Sequence, residues 1–318
     1  MKILLNAEVR RLIFGANGDE SVTVQLGDKD KTEIKAKRVV LCAGSVHSAA
    51  ILLRSDVDLE SHLHLTDHAM YLVKHFFRYR ESNRGKDVGP MKLQTFTKLD
   101  DENPVLANFT VDASAFLSSS EANFTPDLSS SEANITSADH FALLSTRVTF
   151  AMDVSEPHSV NSPGNPDYQH IFTMVFALSS KLGDENKIVC KDEEEPTITI
   201  KRTDVANAKM LEAMRRMVDE GVVETMKKEL GAEFDPAPTK TTEQQLEKPL
   251  GLGNVAHEVG SLPMGDSTGA VDADLKLRAH KNIYVCDLSV FPVSPAANPS
   301  LTLAALALRL SHHLLSVM

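Results

Sequence analysis

Two hydrophobic patterns divide the chain. Near the start, Ser21 to Gln25 alternates polar and apolar positions and runs into the turn signal Gly27-Asp28, which predicts a hairpin with the segment Thr32 to Ala36. Arg38-Val39-Val40-Leu41-Cys42 then reads as a buried strand that ends at Ala43-Gly44-Ser45, with a helix over Ser48 to Ser55. The far end repeats this order. Asn282-Ile283-Tyr284-Val285-Cys286-Asp287 predicts a buried strand with a carboxylate at its end, and Asn298-Pro299-Ser300-Leu301-Thr302 opens a helix rich in Leu and Ala. Strand, polar turn and helix in that order are the signature of a parallel α/β sheet.

The middle reads differently. Short β-rich runs recur at Met70 to Tyr79, Val105 to Phe116, Phe141 to Val154, Ile171 to Leu178, Lys187 to Cys190 and Thr197 to Ile200, and together they predict one antiparallel sheet. Between Asp204 and Leu230 the apolar positions Val205, Ala208, Leu211, Met214, Val218, Val222, Met226 and Leu230 fall three or four apart, which predicts an amphipathic helix capped by Asp204 and packed on that sheet. Ser118-Ser119-Ser120-Glu121-Ala122-Asn123 recurs at 129–134, a duplication too polar to fold alone and expected as a surface loop. The expected organisation is therefore α/β at both ends and α+β between them, with boundaries at 1–57, 58–250 and 251–318.

Charge sharpens that division. Residues 1–55 hold nine Lys or Arg against six Asp or Glu, and residues 251–318 hold four against five, so of the net −11 the segment 56–250 carries −13. An acidic chain repels phosphate backbones and anionic lipid, which argues against nucleic-acid and membrane-surface roles. No apolar stretch approaches the ~20 residues of a membrane span, and the first residues do not make an export signal, so a soluble cytoplasmic protein is expected. Cys42, Cys190 and Cys286 suit neither a disulfide framework nor a metal knuckle and are expected as buried thiols in a reducing compartment. The Asn-Xaa-Thr triplets at Asn108, Asn123 and Asn134 are read as chance matches.

Candidate chemistry concentrates after Gly251. The stretch Ala256-His257-Glu258-Val259-Gly260-Ser261-Leu262-Pro263-Met264-Gly265 is a glycine-punctuated loop presenting one imidazole. Asp287 ends a strand where parallel sheets hold ligands. Asn298 is a strong cap type and Pro299 suits the first helical position, so the free N–H groups near Ser300 form a positive helix end suited to an anion. The following helix is apolar on nearly every side and is expected to be buried. Gly251-Leu252-Gly253-Asn254-Val255-Ala256 formally fits a dinucleotide fingerprint, but no strand precedes it and it is read as a loop.

In order and spacing, the His257 loop, the Asp287 strand and the Asn298-Pro299 helix resemble the carboxyl-terminal part of the glucose-methanol-choline (GMC) oxidoreductases. At the front, Asn6-Ala7-Glu8-Val9 and Val39-Val40-Leu41-Cys42-Ala43-Gly44-Ser45-Val46-His47-Ser48 resemble the same family's later flavin-domain strand and turn, and Asp67-His68 its pair at the entrance to the substrate domain. The resemblance implies a partial FAD-binding, Rossmann-like domain with an antiparallel-sheet substrate domain, and oxidation of an alcohol or sugar CH-OH group by hydride transfer to FAD. It further implies His257 as base with Asn298 as partner, and cofactor contacts from Val9, Ala43, Gly44, Asp287, Leu288, Asn298, Pro299 and Ser300. Oxygen or a quinone would accept the electrons.

Departures and structural alternatives stand beside these expectations. Ala49 and Asp56 replace the Pro and Gly of the family's second signature, and nothing before Val9 supplies the GxGxxG turn that holds the FAD pyrophosphate. The chain thus reads as a family member without its amino-terminal third, either an enzyme or a non-catalytic remnant or partner subunit with little hold on FAD. A lone loop histidine is often structural, Asn298 is as well suited to capping as to substrate contact, and Asp287 to capping a turn. His62 and His64 lack a third metal ligand and are expected in a solvated loop. His312-His313 is expected as an exposed last turn.

Overall fold

The structure, a computed structural model, describes residues 2–15, 21–27, 31–59, 63–79, 90–98, 104–112, 167–168, 170–190, 194–199, 206–250 and 257–317. The chain forms two compact units. The first comprises residues 1–68, 179–204 and 255–318, the second 69–178 and 205–254. Residues 179–204, assigned from sequence to the middle segment, thus pack with the two chain ends. The duplicated Ser-rich segment, the run Phe141 to Val154, the cap candidate Asp204 and the glycine-rich decoy at 251–256 lie outside the described residues.

In the first unit, β1 (Val9–Phe14), β2 (Val22–Leu26) and β3 (Glu33–Ala36) form a three-stranded antiparallel sheet, the predicted hairpin plus a strand that the sequence reading did not identify. β4 (Val39–Leu41) leads into α1 (Gly44–Leu53), which starts four residues before the expected Ser48. In the second unit lie β5 (Ala69–Tyr79), β6 (Pro90–Lys98), β7 (Pro104–Asp112) and β8 (His170–Leu178). The chain then returns to the first unit with β9 (Ser180–Lys181) and a separate two-stranded hairpin of β10 (Lys187–Val189) and β11 (Thr197–Thr199). That hairpin corrects the expectation that 187–200 adds strands to one central sheet; its short runs pair with each other instead.

The second unit is completed by α2 (Ala208–Arg216), a π-helical turn over Met217–Val223, α3 (Glu224–Leu230), β12 (Ala232–Phe234) and α4 (Thr242–Leu246). Its sheet runs β12-β5-β8-β7-β6, antiparallel throughout. Strand alternation puts Ala69, Tyr71, Val73 and Phe77 of β5 into one core with Phe172, Met174 and Phe176 of β8, and Met210, Met214, Val218 and Met226 close over them. Met214, Val218 and Met226 are core packing, as the spacing predicts, whereas Met210 is buried in place of the expected Ala208, which is exposed, and Leu211, which is half-buried. Each such fully buried side chain contributes about 1.5–3 kcal/mol. The cap is Asn207, whose side chain accepts from the Met210 N–H at 2.9 Å.

The first unit is finished by β13 (Ile283–Val285), β14 (Val293–Ser294) and α5 (Ser300–Ser316). β13 lies parallel to β4, with Val285 opposite Leu41, so the two ends of the chain build one parallel pair as the repeated pattern predicts. Ile283, Tyr284 and Val285 are buried, but Val40 on β4 is 40% exposed. The expectation of a fully buried helix at the end is overturned. Leu303, Leu306, Leu310 and Leu314 make one stripe against the core, while Leu301 is 84% and Leu308 66% exposed. An all-round apolar composition says what a helix is able to bury, whereas the first unit offers α5 one packing surface.

His75 sits on the inward face of β5, where alternation would place an apolar residue. Its Nε2 lies 2.9 Å from Thr242 Oγ1, and that hydroxyl donates to Asp219 at 2.5 Å. Burial pushes the imidazole below its ordinary value near 6.5, against an opposing pull from Asp219. As pH falls through that value the unfolded chain takes up a proton that the folded chain refuses, so stability is lost on acidification. The urea midpoint of the full chain should therefore drop between about pH 7.5 and about pH 5.5. His75→Gln, which keeps a polar group toward Thr242, should show a smaller drop; an unchanged pH slope would contradict the assignment.

Candidate active site

A single buried carboxylate gathers the ends of the first unit. Asp287 follows β13 and is 5% exposed. Its Oδ2 accepts the Gly44 N–H at 3.0 Å and the Ser48 hydroxyl at 2.5 Å, while its Oδ1 accepts the Ser289 N–H at 2.9 Å and the Ser289 hydroxyl at 2.5 Å. These four donors match the roughly four acceptor positions of a carboxylate. Ser48 also accepts the Ala43 N–H at 3.1 Å. Ala43 caps α1 without a side-chain bond, so the carboxylate of Asp287, reaching over from a neighbouring strand end, supplies the negative charge that this helix start favours.

Gly44 makes that closure possible. Its φ of +83° lies in the left-handed region, which favours glycine, and among the described residues no atom beyond its two chain neighbours lies within 4 Å of where a Cβ would stand. The next residue links the knot to the His257 loop. Ser45 Oγ donates to the Glu258 carbonyl at 2.5 Å, and the Ser261 hydroxyl returns a bond to the Ser45 carbonyl. Gly260 between them has φ +98°, and a Cβ there would overlap the Leu182 side chain.

His257 is positioned by strand register. Thr66 and Val259 exchange backbone bonds of 2.9 and 3.1 Å as an antiparallel bridge. Two residues after Thr66 and two before Val259, on the same face of this antiparallel bridge, stand His68 and His257. His68 Nε2 lies 3.0 Å from His257 Nδ1, with the rings edge to face at 5.1 Å between centroids. His68 is 3% exposed; its Nδ1 lies 3.2 Å from Ser294 Oγ, and its backbone N–H donates to Asp67 Oδ1 at 2.6 Å. Ser294 is itself fixed on β14, which pairs with β9 opposite Ser180, and Ser180 Oγ lies 2.6 Å from Thr66 Oγ1. Among the described residues His257 is engaged through Nδ1, and its ring is half-buried.

The sequence-predicted residues fall into three places. Ala43, Gly44, Asp287 and Leu288, which opens a 3-10 turn, form the knot just described. Val9 opens β1 opposite Leu26. Asn298, Pro299 and Ser300 stand at the start of α5, and here the expected cap is corrected. Pro299, not Asn298, occupies the cap position, the helix start has no side-chain cap, and Asn298 and Ser300 are exposed while Pro299 is buried. With the backbone of Pro299 already near-helical, the turn begins one residue later than a capping Asn298 would require.

Further expectations are corrected nearby. Cys42 is exposed and Cys190 and Cys286 are half-buried, all as free thiols, because each lies just past a strand end and not within a core. Although Cys42 is exposed as a residue, its thiol is pushed up to about 11, chiefly by desolvation and then by Cys286 and Asp287; Cys286 shifts the same way. Neither is a ready nucleophile. Of the two histidines expected in an exposed turn, His312 is exposed, but His313 is half-buried, with its ring 5.9 Å from Tyr284 and its Nδ1 3.7 Å from Asp274. His64 bridges to Lys187 through its backbone and is half-buried, while His62 is outside the described residues. Among the described residues there is no cluster of metal-ligating side chains, and no helix is long and apolar enough to cross a membrane. Sequence reasoning paired His68 with Asp67 but gave it no role; the one available signal was its polarity at the entrance to a strand.

With this geometry in view, the comparisons with known proteins agree with the resemblance. The amino-terminal GMC oxidoreductase model matches residues 1–70 and the carboxyl-terminal GMC oxidoreductase model matches residues 191–307, together more than half of the chain. The chain belongs to the GMC oxidoreductase family. Its mixed α/β fold with antiparallel sheets is shared with pyridoxine 4-oxidase from Mesorbium loti, at a TM-score of 0.57 and 17% identity over 96% of this chain. The chain spans 56% of that protein's length. No curated protein sequence matches it.

The carboxylate knot carries a direct test. Asp287→Ala would leave the Gly44 and Ser289 N–H groups and two hydroxyls without their acceptor. It should lower the stability of the full chain by about 3 kcal/mol, read from a denaturant midpoint. A loss below about 1 kcal/mol would mean that the bonds are incidental.

Proposed function

We propose that the chain is the catalytic portion of an FAD-dependent oxidoreductase that oxidises a CH-OH donor, an alcohol or a sugar, to the carbonyl. The observation that carries this reading is the half-buried His257 ring, held through Nδ1 by a second imidazole. Such a ring has one nitrogen left to meet a ligand.

The residues present fit the cofactor in two respects. Gly44 presents an open backbone face, and the start of α5 has no side-chain cap, so its N–H groups favour negative charge. Ala43 and Gly44 would let the cofactor approach closely, Val9 would meet it through its main chain, and the turn at Leu288 together with the Asn298-Pro299-Ser300 corner would line it. Asp287 belongs to this set as a positioning group, because its acceptor positions are filled from within the protein. Bound FAD supplies the two-electron acceptor for the hydride of the donor carbon, and is reoxidised by oxygen or a quinone.

The protein's own part is the proton. His257 Nε2 takes the hydroxyl proton, a task suited to a neutral imidazole nitrogen that carries a lone pair. The Asn298 carboxamide, exposed and not spent on capping, is able to donate to the same substrate oxygen. A second reading rests on the exposed apolar side of α5, with Leu301, Leu308 and Leu315 open to solvent. On that reading the chain is a non-catalytic partner of a homologous subunit, covering this face on docking.

Adding FAD to the purified chain separates the two. Yellow protein that retains flavin through gel filtration and oxidises alcohols or sugars supports the enzyme; colourless protein supports the partner. In the loaded protein, His257→Ala should lower kcat by at least about 100-fold. Turnover left intact would remove His257 as the base.

A further inference from the structure

We propose that His68 is the positioning residue that sets the tautomer of His257; this rests on the reading of His257 as the base. A gap of 3.0 Å between two ring nitrogens holds one proton. That proton belongs either to His257 Nδ1, with His68 Nε2 accepting, or to His68 Nε2, with His257 Nδ1 accepting. In a neutral His257 ring the first arrangement leaves a lone pair on Nε2, and the second puts a hydrogen there. Only the first can take a proton from a hydroxyl.

The surroundings of His68 suit it to this task. It is buried, so its ring is held by packing, and its backbone N–H is anchored on Asp67. If His68 Nε2 accepts, its Nδ1 carries the hydrogen and donates to Ser294 Oγ at 3.2 Å. The order of bonds is then His257 Nδ1–H to His68, and His68 Nδ1–H to Ser294. The register of the Thr66–Val259 bridge and the β9–β14 pair brings these three side chains together from distant parts of the sequence. Tautomer control of this kind, through the nitrogen that does not meet the ligand, is a general property of functional histidines.

The test needs no bound cofactor. Nitrogen NMR of the full chain labelled in histidine, at about pH 8 and thus above the ordinary imidazole value of ~6.5, distinguishes a protonated from an unprotonated ring nitrogen. His257 is assigned by the signals lost in His257→Gln. The expected result is Nδ1 protonated and Nε2 unprotonated in the unsubstituted chain, reverting in His68→Leu to the Nε2–H form that free histidine prefers. His68→Gln, which retains an acceptor oxygen, should restore Nδ1–H. Protonation of His257 at Nε2 in the unsubstituted chain overturns the proposal, as does a tautomer unchanged by His68→Leu. If His68→Leu fails to fold, the unsubstituted chain and His68→Gln decide by the same criterion. An Nδ1–H tautomer combined with full turnover in FAD-loaded His257→Ala would refute the base and leave the positioning intact.

Discussion

A buried carboxylate must be satisfied completely or it destabilises the protein around it, and at Asp287 the first unit meets this demand with donors from both chain ends. Its four acceptor bonds come from the start of α1 and from the turn after its own strand. Because the donors belong to segments some 240 residues apart in sequence, satisfying one side chain closes the β4–β13 pair on α1. Ser45 and Ser261 carry the same constraint into the His257 loop. The loop that bears the candidate base is thus tied at one side to the carboxylate knot and at the other to the Thr66–Val259 bridge.

This arrangement changes what Asp287 means. A strand-end carboxylate in a parallel sheet invites assignment as a ligand contact, and the sequence resemblance implied it. With both oxygens occupied by protein donors, the carboxylate would, on the proposed function, shape the surface that a cofactor meets, and direct contact would fall to the Gly44 backbone. His257 shows the same separation of roles. One ring nitrogen is engaged by His68, and the proposed proton transfer would fall to the other.

Much of the fold was legible where local chemistry repeats. The β2–β3 hairpin followed from alternation and a Gly-Asp turn, the β4–β13 pair from two matching strand-turn patterns, and Met214, Val218 and Met226 of the helical stripe from its period, whereas the buried Met210 was missed for Ala208 and Leu211. What escaped depends on partners that a sequence does not display. Lys187–Val189 and Thr197–Thr199 have strand composition, but only pairing shows that they form a hairpin of their own. The cap moved from Asp204 to Asn207, and α5 buries one stripe although its composition would allow more. In the site, the motif pointed to His257, whereas its pairing with His68, 189 positions away, arises from register.

Amide hydrogen exchange at Gly44 and Ser289 in the full chain tests the central claim most directly, because both N–H groups are donated to Asp287 and to no regular helix or strand ladder. If the carboxylate organises the unit, both should be protected to the degree of Val285, whose N–H is bonded at 2.9 Å to the Leu275 carbonyl in the core. Exchange of Gly44 and Ser289 at the rate of an exposed loop, with Val285 still protected, would show that the unit holds together without that carboxylate and would contradict the account.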